Sequence, residues 1–261
     1  MNDLRITLVQ TGLVWEDRDA NLTGLSDKLS ALEAGATDLI VLPEMFSTGF
    51  TMNATGVAET MKGRAVEWMA KLAAEKNCAV TGSLVIKEED CYYNRLIWML
   101  PGGSFEIYDK RHLFRMGEEQ HTYTSGKKRI IVNLNGWKIC PLICYDLRFP
   151  VWSRNNPPAY DCLIYVANWP QKRSYAWKHL LIARAIENLS YVVGVNRTGT
   201  DGNGIEHSGD SAVMDARGEI ISKTRTAEES VETVKLSWNE LEEFRKNFPA
   251  AMDADNFKLI V

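Results

Sequence analysis

A cysteine at the end of an apolar run is the residue of this sequence that most strongly indicates chemistry. Cys144 lies within residues 137–150, which read Trp-Lys-Ile-Cys-Pro-Leu-Ile-Cys-Tyr-Asp-Leu-Arg-Phe-Pro. The run is strand-like and ends at a polar break, after which a helix-like segment begins. A thiol at the end of a buried strand is held rigidly and can still face a pocket, as a nucleophile requires. An isolated cysteine is as often a buried structural thiol, so the interpretation depends on partners.

Two charged residues at other strand ends could be those partners. Glu44 ends the segment Val-Leu-Pro-Glu, and Lys110 lies in Tyr-Asp-Lys-Arg-His-Leu. Alone, each is typical of a solvated surface residue. Together with a thiol they fit acyl transfer, in which the carboxylate moves the thiol proton to the leaving amine. Such positioned proton transfer raises the reaction rate by roughly 10²–10⁴-fold. The ammonium and the backbone N–H of Tyr145 would stabilise the oxyanion, and losing one such donor costs about 3–4 kcal/mol.

The elements that must position these residues form an α/β pattern. Short apolar runs bounded by Gly, Asn, Asp or Pro predict strands over residues 4–10, 39–42, 80–86, 96–100, 130–134, 138–143, 163–167, 191–196, 212–214 and 231–235. Helical spacing predicts helices over residues 22–32, 64–76, 177–188 and 238–246. The early strand–helix–strand rhythm indicates parallel pairing, whereas Asn135-Gly136 indicates an antiparallel hairpin. One mixed sheet, or two stacked sheets with helices outside, accommodates both patterns, and the lack of a linker favours one domain over residues 1–261.

Composition excludes several functional classes. Of the 261 residues, 45% are hydrophobic and 25% are charged, which is typical of a globular protein. The formal net charge of −4 provides no basic field for nucleic acid, and no apolar window is long enough to predict a membrane span. The five cysteines are irregularly spaced, as expected for free thiols in a reducing compartment. We therefore expect a cytoplasmic protein that binds neither nucleic acid nor membrane.

The three motifs, in this order, resemble those of the nitrilase superfamily of carbon–nitrogen hydrolases. Glu44, Lys110 and Cys144 fall on the positions of that superfamily's catalytic Glu, Lys and Cys. The resemblance extends over almost the whole chain. It implies a four-layer α-β-β-α sandwich of two stacked mixed sheets flanked by helices, with neither cofactor nor metal, and a homodimer or larger homo-oligomer.

Further motifs resemble the bacterial omega-amidase branch of this superfamily. They are the segments at residues 168–170, 183–188, 194–199, 248–250 and 253–255. Members of that branch hydrolyse the terminal amide of 2-oxoglutaramate and 2-oxosuccinamate. The alternatives are an aliphatic amidase, a deaminated-glutathione amidase, a carbamoylase, or a non-catalytic interaction protein on the same scaffold.

The resemblance also implies a supporting carboxylate seven residues before a glycine. Glu119 has that spacing to Gly126, so it is preferred to Glu118, with an orienting role toward Lys110 or the hydrolytic water. The alternative is a solvated acidic pair on a loop.

Residues that could bind a small-molecule amide substrate lie near the predicted strand ends. An omega-amide substrate carries a carboxylate, which Arg148 or Arg173 could clamp, although each could instead pair with a local acid such as Asp146. Trp169 and Phe46 could form an apolar wall, with core packing as the equal alternative.

Other chemistries find less support. No histidine lies in a context typical of a papain-like Cys–His pair. Cys140 and Cys144 lack the further ligands that zinc requires. The glycine-rich segment 198–204 lacks the lysine of a phosphate-binding loop and is predicted to be a rim loop.

Overall fold

Two mixed β-sheets form the framework of the molecule, and the computed structural model describes residues 1–156 and 159–259. The strands are β1 (Leu4–Gln10), β2 (Leu39–Val41), β3 (Ala79–Glu88), β4 (Cys91–Met99), β5 (Phe105–Asp109), β6 (Val132–Leu134), β7 (Trp137–Ile143), β8 (Cys162–Ala167), β9 (Tyr191–Asn196), β10 (Thr198–Thr200), β11 (Glu206–Ser208), β12 (Ala212–Met214) and β13 (Ser230–Leu236). The α-helices are α1 (Arg18–Leu29), α2 (Ala54–Val57), α3 (Arg64–Lys76), α4 (Glu119–Thr122), α5 (Pro150–Ser153), α6 (Ser174–Asn188) and α7 (Trp238–Asn247). Within the described ranges, none of the helices combines the length and apolarity needed to cross a bilayer.

The strand order explains how distant residues reach one edge. The first sheet has the order β13-β1-β2-β3-β4-β5, and the second has the order β12-β9-β8-β7-β6. β2 and β3 are parallel, and two antiparallel pairings then return β5 to the direction of β2. The carboxyl ends of β2 and β5 therefore lie at the same edge of the first sheet. In the second sheet β7, β8 and β9 are parallel, so their carboxyl ends also share an edge.

Alternation along the strands of the first sheet separates two hydrophobic cores. Ile6 and Leu8 face the second sheet and belong to the core between the sheets. Val9 points the other way and packs in a separate cluster with Leu22 of α1 and Met69 of α3. Both faces of the first sheet are thus covered, one by helices and one by the second sheet.

Helix α6 covers the outer face of the second sheet. Its residues Trp177, Leu181 and Ala185 are buried in the core that contains Val193 of β9. The layers therefore follow the order helix, sheet, sheet, helix, which confirms the predicted four-layer sandwich.

Several element bounds differ from the sequence-based expectations. β4 begins at Cys91, five residues before the predicted start, because the polar residues Asn94 and Arg95 mask its apolar pattern yet are buried. The short strand β5 and the β10–β11 hairpin were not predicted. The hairpin across Asn135-Gly136 is confirmed, with both residues at positive φ (52° and 92°), as a tight two-residue turn requires.

A glycine in β9 permits the close contact between α6 and the second sheet. A Cβ added at Gly194 would lie 2.5 Å from Leu181 Cδ1 and 2.9 Å from Trp177 Cζ2. We expect Gly194→Ala to lower the free energy of unfolding by about 1–3 kcal/mol, because a packed core tolerates added volume poorly. Urea denaturation measures this change.

The matched control is Gly24→Ala within α1, where an added Cβ meets nothing within 4 Å. This substitution should stabilise the protein by about 0.5–1 kcal/mol, because alanine favours helix more than glycine does. Equal effects of the two substitutions would contradict the packing described for Gly194.

Candidate active site

Three strand ends converge on one buried polar cluster. Glu44 follows β2, Lys110 follows β5 and Cys144 follows β7. Lys110 Nζ lies 2.8 Å from Glu44 Oε1, and the side chains of both residues are almost completely removed from solvent. Cys144 is 9% exposed. The three residue types singled out by their chemistry are therefore neighbours, although 66 residues separate Glu44 from Lys110 along the chain.

Cys144 begins a single 3₁₀ turn over Cys144–Arg148, directly after β7. Its φ of 43° lies in the left-handed region, which a residue with a Cβ adopts at a conformational cost. The sharp turn ends the strand and presents the sulfur at its tip. A rigid strand before the thiol and a tight turn after it fix its direction.

Glu44 is held by contacts to three segments. Its Oε1 accepts a hydrogen bond from Asn94 Nδ2 at 2.8 Å, and its Oε2 accepts one from the backbone N–H of Asn168 at 2.8 Å. The Asn168 side-chain amide also donates to the Glu44 carbonyl. Met45, the next residue, has a φ of 43°, and its N–H donates to Ser83 Oγ at 2.9 Å. The carboxylate thus has a fixed orientation beside the thiol.

Glu119 is the second carboxylate of the cluster. Both of its oxygens lie within 3.0 Å of Lys110 Nζ, and Oε2 also accepts the Phe114 N–H at 2.6 Å. Glu118, by contrast, has a side chain that is 71% exposed and pairs with His121. The carboxylate that contacts Lys110 is therefore the one that the glycine spacing favours. Gly126 is required as glycine, since an added Cβ would lie 2.0 Å from the Asp109 carbonyl oxygen.

The protonation states follow from burial and charge. Burial raises the pKa of the Cys144 thiol well above its ordinary value, the Glu44 carboxylate raises it further, and Lys110 opposes both. Burial alone would lower the pKa of Lys110, but Glu119 and Glu44 outweigh burial and raise it. Burial also raises the pKa of Glu119 against the influence of Lys110. At neutral pH the cluster therefore holds an ammonium beside a protonated thiol.

A cavity of about 520 Å³ opens onto this cluster. Its walls include Glu44, Lys110, Cys144, Tyr145, Phe50, Phe114, Arg148, Trp169 and Arg173. The glycine-rich segment 198–204, predicted to be a rim loop, contains β10 and most of the turn toward β11, and its residues Asp201 and Asn203 line the same cavity. The cavity has the size and mixed polarity of a small-molecule site.

Two arginines at the cavity lie on aromatic faces. The Arg148 guanidinium is 4.9 Å from the Trp169 ring centroid, and that of Arg173 is 5.2 Å from the Phe114 ring centroid. Among the residues that the structure describes, neither guanidinium forms an ion pair, and Arg148 does not pair with Asp146. Burial lowers the pKa of Arg173, and the neighbouring Arg148 lowers it too.

Comparisons with known proteins identify the family. Residues 5–246 match the carbon-nitrogen hydrolase family. The chain belongs to the carbon–nitrogen hydrolases. It is 47% identical over 259 residues to the omega-amidase YafV of Escherichia coli (strain K12), which covers 99% of this chain and 100% of that one.

Two further proteins are similar to this carbon–nitrogen hydrolase. A 2-oxoglutaramate amidase of Bacillus subtilis (strain 168) is 32% identical, over 85% of this chain and 86% of its own. The crystal structure of XC1258 from Xanthomonas campestris, a CN-hydrolase superfamily protein with an arsenic adduct in the active site, superposes with a TM-score of 0.96. It is 45% identical and covers 99% of this chain and 100% of its own. The protein is thus an enzyme that hydrolyses carbon–nitrogen bonds other than peptide bonds.

One predicted pocket residue of this hydrolase lies elsewhere. Phe46 is fully buried on the helix side of the first sheet, 5.8 Å from the Trp68 ring in centroid distance, and does not line the cavity. Its backbone N–H donates to the Ser83 carbonyl, which directs the side chain into that core. Phe50 lines the cavity instead, and Lys110 Nζ lies 5.1 Å from its ring centroid.

The residues that the sequence analysis missed or left without a role include Asn94, Asn168 and His207. Asn94 donates to both carboxylates, and its signal was a pair of polar residues, Asn94 and Arg95, directly before an apolar run. Asn168 belonged to a motif, but its contact with Glu44 has no pattern in the sequence. His207 lines the cavity, and burial, with Arg197 nearby, lowers its pKa to about 4, so its ring is neutral at pH 7.

The effect of the Glu44 charge on the pKa of the Cys144 thiol should be measurable by alkylation. Because the Glu44 carboxylate raises the pKa of Cys144, Glu44→Gln should move the alkylation midpoint of Cys144 to lower pH. Burial remains, so the midpoint should stay above the ordinary thiol value of about 8.5. The rate of iodoacetamide addition to Cys144, followed by mass spectrometry across pH, measures the shift.

Glu118→Gln is the control for this experiment, because Glu118 is an exposed carboxylate next to Glu119 whose ion-pair partner within the described part of the chain is His121 alone. It should leave the midpoint unchanged. A midpoint that stays in place or rises in Glu44→Gln would contradict the described electrostatics.

Proposed function

We propose that the enzyme is a thiol amidase that acts through a cysteinyl thioester. The observation that supports this most strongly is the contact of Lys110 with Glu44 and Glu119 in the cavity that Cys144 also lines. Cys144 attacks the amide carbon while Glu44 accepts the thiol proton. The new oxyanion receives hydrogen bonds from the Lys110 ammonium and the Tyr145 N–H. Because the thiol has a raised pKa, attack requires a base that takes the proton during the step.

The second half of the reaction returns the enzyme to its starting state. Glu44 gives its proton to the leaving nitrogen, the carbon–nitrogen bond breaks, and ammonia departs. Glu44 then accepts a proton from water, whose oxygen attacks the thioester carbon. The carbon–sulfur bond breaks, and the thiol recovers its proton. Glu119 keeps Lys110 charged and oriented through both steps.

The substrate class that we propose is the terminal amide of 2-oxo dicarboxylic acids, such as 2-oxoglutaramate and 2-oxosuccinamate. These molecules are small anions, and the cavity carries two arginines without acidic partners among the described residues. The acids that line the same cavity have local partners: Glu16 accepts from Thr51 and Asn53, and Asp201 accepts two backbone N–H groups. Arg148 and Arg173 are therefore available to bind the substrate carboxylate, with Trp169 as an apolar wall. The names of the relatives from Escherichia coli and Bacillus subtilis support the same substrate class.

Self-association is part of this proposal. The resemblance implies a homodimer or larger homo-oligomer, and the outward face of α6 exposes Tyr175 (75%) and Ile186 (51%). A second copy would cover these apolar side chains.

A substrate panel tests the proposed function. Ammonia release should be fastest from 2-oxoglutaramate, compared with glutamine, propionamide and an N-carbamoyl amino acid. Cys144→Ala should lose activity on all of them while keeping the unfolding midpoint of the wild type, because the thiol forms the covalent intermediate.

Activity in Cys144→Ala would refute the thioester mechanism. Preference for glutamine, or none, would refute the 2-oxo acid specificity while leaving the amidase intact. Preference for the carbamoyl compound would favour a carbamoylase.

The arginines generate a second test. Arg148→Gln and Arg173→Gln should each raise KM for 2-oxoglutaramate by roughly 10–100-fold, because a hydrogen bond to a charged group contributes about 1.5–3 kcal/mol. For the uncharged propionamide both KM values should change less than about threefold.

Lys172→Gln is the matched control, since Lys172 is an exposed neighbour of Arg173 that does not line the cavity. Equal KM changes for the charged and uncharged amides would contradict the carboxylate-binding role.

A further inference from the structure

Lys110 and Cys144 belong to different sheets. Lys110 follows β5 at the edge of the six-stranded sheet, and Cys144 follows β7 of the five-stranded sheet. No backbone ladder joins these strands, so the sheets alone do not fix the distance between ammonium and sulfur. Glu44 provides one link between the sheets, because it contacts Lys110 and accepts the N–H of Asn168 after β8. A second contact joins the ends of β5 and β7 directly.

The Asp146 carboxylate provides that contact. It is fully buried and lies two residues after Cys144. Its Oδ2 accepts hydrogen bonds from the Ile143 N–H at 3.1 Å and the Tyr108 hydroxyl at 2.7 Å. Its Oδ1 accepts the backbone N–H of His112 at 3.0 Å and lies 2.7 Å from His112 Nδ1. Tyr108 and His112 are each two residues from Lys110, so one carboxylate holds both flanks of the lysine and the residue before the cysteine.

The donors to Asp146 are themselves held in place. The Tyr108 hydroxyl accepts Trp152 Nε1–H at 3.0 Å. Burial, together with Asp146, raises the pKa of Tyr108 well above its ordinary value, so the hydroxyl stays a donor. The His112 ring stacks on Phe149 with centroids 3.7 Å apart. The network is therefore rigid on both sides of the carboxylate.

We propose that Asp146 is a positioning residue that fixes the Lys110 ammonium relative to the Cys144 sulfur. The inference rests on the proposed function, in which Lys110 stabilises the oxyanion. That charge develops in the transition state, so a displaced Lys110 affects kcat more than KM. A displacement of about 1 Å is enough for an effect on the order of 10²-fold.

Asp146→Asn tests the proposal, because its amide nitrogen cannot accept hydrogen bonds. Two of the four donors that contact the Asp146 carboxylate would then lose their acceptor. With the amide that the wild type hydrolyses fastest, kcat should fall by about 10–100-fold and KM should change less than about threefold. The rate of Cys144 alkylation by iodoacetamide should stay within about threefold of the wild type, because this reaction forms no oxyanion. The combination separates a misplaced ammonium from a damaged nucleophile.

Asp161→Asn is the matched control. Asp161 is a buried carboxylate that accepts the Lys138 N–H at 3.0 Å and pairs with Arg245 at 2.7 Å, at the opposite end of β7 from Cys144. The Asp161→Asn substitution should lower the unfolding temperature and leave kcat, normalised to the amount of alkylatable Cys144, unchanged. His112→Ala removes the ring contact to Asp146 and the stacking on Phe149 but keeps the backbone N–H bond to Asp146. It should therefore lower kcat by a smaller factor, and it provides the test if Asp146→Asn does not fold.

Two outcomes would overturn the positioning role. One is a kcat in Asp146→Asn and His112→Ala that equals that of Asp161→Asn. The other is a parallel loss of kcat and alkylation, which denotes general damage. Failure of the proposed function is a separate result, because it would appear as activity in Cys144→Ala.

Discussion

An ammonium group removed from water requires acidic partners, because an unpaired buried charge costs several kcal/mol. Lys110 is 1% exposed, and its ammonium lies 2.8 Å from Glu44 and 2.9 Å from Glu119. This requirement joins three segments that lie far apart in the sequence. The same contacts that make the buried cation tolerable also fix the carboxylate beside the thiol, so the stability and the chemistry of this region share one ion cluster.

The surroundings of Cys144 keep its sulfur protonated. Many reactive cysteines have a lowered pKa, whereas burial and Glu44 raise this one. A protonated thiol that is only 9% exposed reacts slowly with adventitious electrophiles. In the mechanism that we propose, its nucleophilicity depends on Glu44 at the moment of attack, which would restrict reaction to ligands that fit the cavity.

The sequence predicted the regular parts of the molecule and the residues with a strong motif. Short apolar runs predicted β1 and β7, because strands that are covered on both faces are apolar along most of their length. The Asn135-Gly136 dipeptide predicted the hairpin, because a tight turn requires positive φ at both residues. Prediction failed at Asn94, a polar residue inside β4, because its side chain is buried as a hydrogen-bond donor to the Glu44 and Glu119 carboxylates. Strand periodicity does not predict such a residue. Prediction also failed at Phe46, because side-chain direction after a strand depends on the backbone contact to Ser83, which local sequence does not specify.

Asn168 and Trp169 couple the position of the Glu44 carboxylate to the shape of the cavity wall, because the two residues are adjacent in the chain. The Asn168 N–H bonds the Glu44 carboxylate, while Trp169, the next residue, forms a wall of the cavity and supports Arg148. A shift of this wall would therefore also move Glu44, the proton acceptor of the proposed mechanism. Divergence toward new ligands is further constrained on this wall, because the Trp169 indole N–H donates to the Arg173 carbonyl oxygen at 2.8 Å and so ties a second cavity residue to the same segment.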